Sequence, residues 1–331
     1  MRPPKRNFAT APSAIFGGVT LLMFRVKENI PLSKWSSYRI GGPARYFFEA
    51  RTVDEIKEAL RWAKEKRQPV FILGGGTNLL IDDRGFAGLV LKPNLETLET
   101  QSETVFAGAG ILISDLLDFT IKKGLSGLEW AGGLPGTVGG AIRGNAGAFG
   151  GEIKDVVHSV VSLDTKSFVE IVRNKLECQF GYRSSIFKEK GGDEMILGVT
   201  LTLWENDSNK IRQAIQEKID YRLARHPMEY PNIGSIFKNV DVKKVPKKHL
   251  PELEAVIKVD PFPVVPTAYL ISEAGLKGVS YGGAMVSPKH PNFIVNVFDA
   301  KADEVRSLIE LVRAKVRAKF SIDVEQEVQL V

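Results

Sequence analysis

VFILGGGTNLLIDDRGFAG, residues 70–88, decides how the rest of this chain is read. A short apolar run, Val70 to Leu73, reads as a buried strand. It ends in Gly74, Gly75 and Gly76, followed by Thr77 and Asn78. Glycine lacks a Cβ, so it admits positive φ and lets another group approach the main chain closely. Successive N–H groups turned the same way form a concave anion site. Two readings fit these glycines equally: a loop wrapped around a phosphate, or a tight turn between strands. The loop is not a P-loop, since no Gly-Lys-Ser/Thr follows, and it is not a GxGxxG that opens a helix.

The flanks place this loop in an α/β unit. Residues 46–49 read as a strand, after the turn Gly41-Gly42-Pro43. Thr52 opens a helix with a capping box, because Glu55 lies three residues on. Ile56, Ala59, Leu60 and Ala63 recur at helical spacing and mark the face that packs on a sheet. A further strand is expected at 89–92, which completes the length a βαβ motif needs.

Further along, residues 104–110 read as a strand and Ser114 as the cap of a helix running to about Lys123. Residues 132–151, GGLPGTVGGAIRGNAGAFGG, form a second glycine-dense stretch. Glycine at this density weakens helix and strand alike. The embedded Leu134, Val138, Ala141, Ile142 and Ala146 favour an ordered backbone lying against an extended ligand over a mobile loop. Residues 156–164 and 195–204 read as strands, the second with Met195, Leu197, Val199, Leu201 and Leu203 on one face. A helix at 208–224 is expected to carry the chain into another domain. The basic run 243–249 reads as a solvated loop, and the prolines of 261–266 exclude helix and central strand. Beyond them come a helix at 267–274, strands at 279–285 and 292–297, a helix at 302–319 and a last strand at 324–330.

Composition bounds the partners. At 331 residues the chain is long enough for two or three domains. A formal charge of +6 suits an anionic small molecule at least as well as nucleic acid, and no nucleic-acid recognition motif is present. Cys178 is the single cysteine, so no internal disulfide framework or thiolate metal cluster is expected, and no metal site is assigned. His158, His226, His249 and His290 are scattered, without metal-ligand spacing. The apolar run at 14–24 is too short to span a bilayer and lacks a signal-cleavage site. Residues 1–23 are read as a disordered extension or an early start, with Met23 an alternative initiator.

Three stretches together carry a family resemblance: SYRIGGPA from Ser37 to Ala44, GGGTNLL from Gly74 to Leu80, and LPGTVGGA from Leu134 to Ala141, continuing to Asn145-Ala146-Gly147-Ala148. They resemble the UDP-N-acetylenolpyruvoylglucosamine reductases, also called UDP-N-acetylmuramate dehydrogenases. Tyr182-Arg183-Ser184, Gly234 to Asn239 (GSIFKN), AGLKG at 274–278, His290 to Asn296 and Glu325-Gln326-Glu327-Val328 extend the resemblance from about Asn29 to the end of the chain. It implies an α+β protein. Two α/β subdomains, about 24–95 and 96–205, form a PCMH-type FAD-binding domain of the vanillyl-alcohol-oxidase class, followed by a smaller α+β substrate-binding domain at 206–331.

The resemblance further implies non-covalent FAD, with NADPH as hydride donor, in a cytoplasmic, monomeric enzyme of peptidoglycan precursor synthesis. The substrate is the enolpyruvyl ether of UDP-N-acetylglucosamine and the product UDP-N-acetylmuramate. FAD contacts fall on Ile40, Gly41, Gly42, Gly74, Gly75, Gly76, Thr77, Asn78, Gly133, Pro135, Gly136, Val138, Gly139, Asn145, Gly147 and Ala148. Arg183 and Glu327 are implied to stabilise charge on the substrate carboxylate, Glu327 as a protonated donor, and Ser235 to deliver the proton to C2. Tyr182, Arg225, Lys238, Asn239 and His290 are implied substrate contacts. The chain departs from the pattern at Thr77, Leu134 and Val240, where the family has serine, isoleucine and proline. Residues 240–266 are unusual for the family, which bears on the rim of the substrate domain. The tyrosine-bearing insertion of the longer subclass is not apparent, so the shorter one is expected. The competing readings are another PCMH-type flavin oxidoreductase and a flavin electron-transfer module.

Overall fold

The computed structural model describes residues 25–259 and 262–331; the N-terminal extension expected at 1–23 lies outside them. Helix α1, Val53–Glu65, begins at Thr52, whose side chain accepts from the Glu55 N–H while Glu55 reaches back to the cap backbone. Its buried face is Ile56, Ala59, Leu60 and Ala63, as the spacing predicts. It packs on a four-stranded sheet ordered Lys27–Pro31, Pro43–Ala50, Phe86–Pro93, Val70–Ile72. The strands either side of Phe86–Pro93 run parallel to it, so the first glycine loop leaves the sheet where a parallel α/β unit presents its strand ends.

A second, five-stranded antiparallel sheet is ordered Glu170–Asn174, Val157–Asp164, Glu194–Thr202, Thr104–Gly108, Leu98–Gln101. Helix α2, Ile113–Lys123, starts one residue before the expected cap. Leu112 stands at the cap with no side-chain bond, and Ser114 pairs with Asp115 instead. The glycine-dense stretch contains helix α3, Val138–Gly144, capped by the Thr137 hydroxyl. Three of its residues, Val138, Ala141 and Ile142, are buried, and that packing overrides glycine's low propensity.

Strand Glu194–Thr202 is buried on both faces, not on one. Met195 and Leu197 enter one core with α1, while Ile196, Val199 and Leu201 enter another with α2 and α3. After the short helix α4, Ile186–Glu189, comes α5, Ser208–Arg225. Ile211 and Ile215 of α5 lie in that second core. The helix expected to open a new domain therefore packs on the preceding one.

The remaining chain builds a further core around α6, Leu250–Leu253, α7, Thr267–Glu273, and α8, Ala302–Phe320, which Tyr38, Ile40 and Leu80 of the N-terminal part join. Val305, Leu308, Ile309, Val312 and Val316 form the buried stripe of α8. A three-stranded antiparallel sheet, Ser280–Tyr281, Ala284–Val286 and Ile294–Asn296, packs on it. The basic run at 243–249 is not wholly solvated, because it forms two 3-10 turns with Val245 buried between them. The closing strand shrinks to Gln329–Leu330, which pairs parallel with Leu79–Leu80 beyond the first glycine loop. Tyr38 joins the two ends of the chain from the other side: its hydroxyl donates to Ile294 O at 2.8 Å, and Asn296 Nδ2 donates to Tyr38 O at 3.0 Å.

Candidate active site

The two glycine stretches meet. A Cβ on Gly75 would lie 2.7 Å from Gly136 Cα, and one on Gly136 would lie 2.9 Å from Thr77 Oγ1. Glycine is required here by loop-on-loop contact, which the sequence did not reveal. Yet the backbone N–H groups of Gly74, Gly75, Gly76, Thr77 and Asn78 have no protein acceptor among the described residues, and neither do those of Gly133, Gly136 and Thr137. Gly76 and Thr137 among them are buried, and buried donors in native folds are almost always paired. A double row of unpaired N–H groups fits a pyrophosphate, and FAD carries one.

Other expected FAD contacts are held differently. Gly42 donates to Asp82 O, Val138 to Ile111 O and Gly139 to Ala109 O. Ile40 packs its side chain into the C-terminal core. Gly41 lies against Ile81 with φ 134°. The Val138 and Gly139 bonds seat the start of α3. Asn145 takes a left-handed conformation at the end of α3, and its Nδ2 donates to Gly181 O at 2.9 Å. Gly147 and Ala148 pair with Gly151–Glu152, and the Gly147 carbonyl accepts from Arg183 Nη2 at 2.9 Å. Pro135 adds no donor between Leu134 and Gly136.

Arg183 meets Glu327, and the segment carrying Ser235 lies beside Glu327, although the three are distant in the chain. Arg183 Nε lies 2.8 Å from Glu327 Oε1, yet its N–H does not point at that oxygen, so the contact is an ion pair and not a hydrogen bond. Glu327 thus meets a cation here, where the resemblance implies a protonated donor. The segment carrying Ser235 runs beside the segment carrying Glu327: Glu327 N–H donates to Ile236 O at 2.8 Å and Lys238 N–H to Glu325 O at 2.8 Å. Asn78 Nδ2 donates to Glu327 O at 3.3 Å, which ties the first glycine loop to this pair of segments. Beside Ser235, Gly234 (φ 78°) faces open space, since a Cβ there would meet nothing within 4 Å.

Asn292 is a residue that the sequence reading passed over. It is buried and spans the Phe237 backbone, accepting from its N–H at 3.1 Å and donating to its carbonyl at 2.8 Å, while its own carbonyl accepts from Ile236 N–H. Asn292→Ala leaves a buried N–H and C=O unpaired, so a loss of about 2–4 kcal/mol of stability is expected, read as a lower urea midpoint. A midpoint unchanged from wild type would show that water replaces the amide.

Arg222 is the second omission. Its Nε donates to Gly132 O at 2.8 Å, its Nη2 is buried without a partner, and it stacks over Phe149. Burial lowers its proton affinity and the nearby Arg183 lowers it further. Two guanidiniums close together with an orphaned donor suit an anion. Arg225, the arginine expected from the sequence, instead lies exposed over Tyr221. Helical spacing does not separate the two, since residues three apart share a side of α5; the contact of Arg222 with Gly132 and Gly133 does.

Tyr182 is edge-on to Phe262, and burial raises its hydroxyl above the usual tyrosine range. Lys238 pairs with Glu325 at 2.6 Å. Asn239 is occupied structurally: its side chain accepts from Thr267 N–H at 3.2 Å at the start of α7. His290 stands edge-on to His226 and Phe293, and its Nδ1 is unpaired.

Burial pushes both His226 and His290 down to about 4, so neither is a cation at neutral pH. Between pH 6.5 and 4 the unfolded chain binds protons that the folded chain refuses, and stability falls as pH falls through that window. The urea midpoint is expected to drop from pH 7 to pH 5, and to drop less in His226→Asn. Equal slopes in the two proteins would place the pH dependence elsewhere.

The chain is similar to known proteins along most of its length. Residues 44–167 match the FAD binding domain family, and residues 226–331 match the family described as UDP-N-acetylenolpyruvoylglucosamine reductase, C-terminal domain. The UDP-N-acetylenolpyruvoylglucosamine reductase of Carboxydothermus hydrogenoformans is 39% identical over 308 residues, 92% of this chain and 93% of that protein. The Listeria monocytogenes enzyme of the same name is 35% identical over 92% of this chain and 95% of its own length. The crystal structure of the reductase from Thermus caldophilus superposes with a TM-score of 0.73 at 29% identity, covering 92% of this chain and 98% of the other. The chain therefore belongs to the UDP-N-acetylenolpyruvoylglucosamine reductase family, and is a flavin-dependent oxidoreductase.

Proposed function

We propose that the protein uses NADPH to reduce the enolpyruvyl group of UDP-N-acetylglucosamine enolpyruvate to UDP-N-acetylmuramate, for peptidoglycan precursor synthesis. The observation that carries this reading is the Arg183–Glu327 pair, set beside the Ser235 segment and tied through Asn78 to the first glycine loop. Bound FAD supplies the two-electron redox chemistry. The N–H groups of residues 74–78 and of Gly133, Gly136 and Thr137 would hold its pyrophosphate.

The side chains have separate tasks. Arg183 presents a planar fork to the substrate carboxylate and stabilises the charge that builds up there. That carboxylate competes with Glu327 for Arg183, which leaves Glu327 available to act on the same group. Ser235 delivers a proton to C2 of the substrate; a hydroxyl does so when the acceptor is a strong base held close to it. Arg222, Lys238 and the neutral His290 serve the nucleotide diphosphate, and Tyr182 shapes the pocket wall.

We place the boundary of the substrate domain near residue 225, since α5 packs on the preceding core and the C-terminal family match begins at 226. The proposed enzyme works as a monomer in the cytoplasm. Among the described residues, no helix is long and apolar enough to cross a membrane.

The assay is NADPH oxidation followed with and without the enolpyruvyl nucleotide sugar, on protein that is yellow when purified. Oxidation that depends on the nucleotide is the expected result. A yellow protein that ignores it would overturn this substrate while leaving flavin binding intact.

A further inference from the structure

Lys188 is a half-buried titratable group that the mechanism above leaves without a task. It stands on α4, five residues beyond Arg183, and its Nζ donates to the Arg183 carbonyl at 2.9 Å. No other donor to that carbonyl is present among the described residues. No carboxylate of the described residues forms an ion pair with Lys188. The charged groups that face it are Lys238, Glu327, Arg143 and Glu325. Burial lowers its proton affinity, and the cations Lys238 and Arg143 act in the same direction. Glu327 and Glu325 offset part of this, and the ammonium keeps a hydrogen-bond acceptor in the Arg183 carbonyl.

What it holds is a strained turn. Arg183 has φ 55°, a left-handed conformation uncommon for a residue with a Cβ. The turn around it is otherwise fastened: Gly181 and Ser184 exchange N–H bonds at 3.0 and 3.2 Å, Asn145 holds Gly181 O, and Ser185 Oγ donates to Arg143 O at 2.7 Å. None of these contacts takes the Arg183 carbonyl, and Lys188 does.

We propose that Lys188 is the positioning residue for Arg183, holding the turn from which the guanidinium reaches both Glu327 and the Gly147 carbonyl. This inference rests on the functional reading above. Losing a hydrogen bond from a charged donor corresponds to a slowing on the order of ten- to a hundredfold. Lys188→Met is expected to slow flavin reoxidation by the enolpyruvyl nucleotide by that factor, and to slow flavin reduction by NADPH less. It is also expected to weaken nucleotide binding, titrated through the bound flavin's absorbance.

The deciding comparison is a double-mutant cycle with Arg183→Met. If Lys188 acts through Arg183, the double variant is no slower than Arg183→Met alone. Losses that multiply would overturn the inference, as would a Lys188→Met protein indistinguishable from an active wild type. A merely structural role would instead lower flavin content and both half-reactions together, which also overturns it. Should the Met variant not fold, Lys188→Gln keeps an N–H donor, removes the charge and enters the same cycle. A wild type that neither binds nor reduces the nucleotide would overturn the functional reading and this inference with it.

Discussion

Ser235→Ala is expected to slow flavin reoxidation by the enolpyruvyl nucleotide by about 10²- to 10⁴-fold, the range that a positioned proton donor supplies. Reduction of the flavin by NADPH should suffer far less, because no proton is delivered to substrate in that step. Fold damage is not expected to confuse the result. The backbone around Ser235 is held without its side chain: Ile236 N–H donates to Asn292 O, and Ile236 O accepts from Glu327 N–H, both at 2.8 Å. The Ser235 hydroxyl has no protein partner among the described residues, and the neighbouring Gly234 opens onto free space. Removing one oxygen there opens no core cavity, and the urea midpoint should stay within about 0.5 kcal/mol of wild type. Stopped-flow measurement of the two half-reactions separates the outcomes. Equal slowing of both would remove Ser235 from the proton-delivery role.

Gly75→Ala is expected to yield protein that folds less stably and is purified with little flavin. The added Cβ would stand 2.7 Å from Gly136 Cα and 3.2 Å from Thr137 N, so it meets backbone and not a side chain that could swing aside. The two loops must part, at about 1–3 kcal/mol for overpacking. Parting them also spreads the N–H groups of residues 74–78 from those of Gly136 and Thr137, the arrangement read here as the pyrophosphate cradle. Absorbance of the purified protein near the flavin band, compared with wild type, measures the effect. A Gly75→Ala protein with full flavin content would show that the cofactor does not depend on the contact between these loops.

Local pattern was enough for much of the frame. The capping box at Thr52, the apolar stripes of α1 and α8, and the strands around the first glycine loop are short-range features, and each forms where spacing predicts it. Helix α3 was not legible, since propensity argues against a helix that only burial of Val138, Ala141 and Ile142 sustains. The two-sided burial of strand Glu194–Thr202 was hidden for a related reason: an unbroken apolar run does not say which cores lie on its two sides.

The same division holds for the site. Residue types in sequence order pointed to a glycine-lined anion cradle and, by resemblance, to Arg183, Ser235 and Glu327. That Gly75 faces Gly136, that Arg183 reaches Glu327, that Asn292 clamps the Ser235 segment and that Lys188 holds the Arg183 carbonyl are decided by tertiary structure alone. They are contacts between residues far apart in the chain, or, for Lys188, the product of one left-handed φ that composition does not encode. A sequence sets which groups are present and their local geometry; hydrogen-bond satisfaction and ion pairing across the core decide where those groups meet.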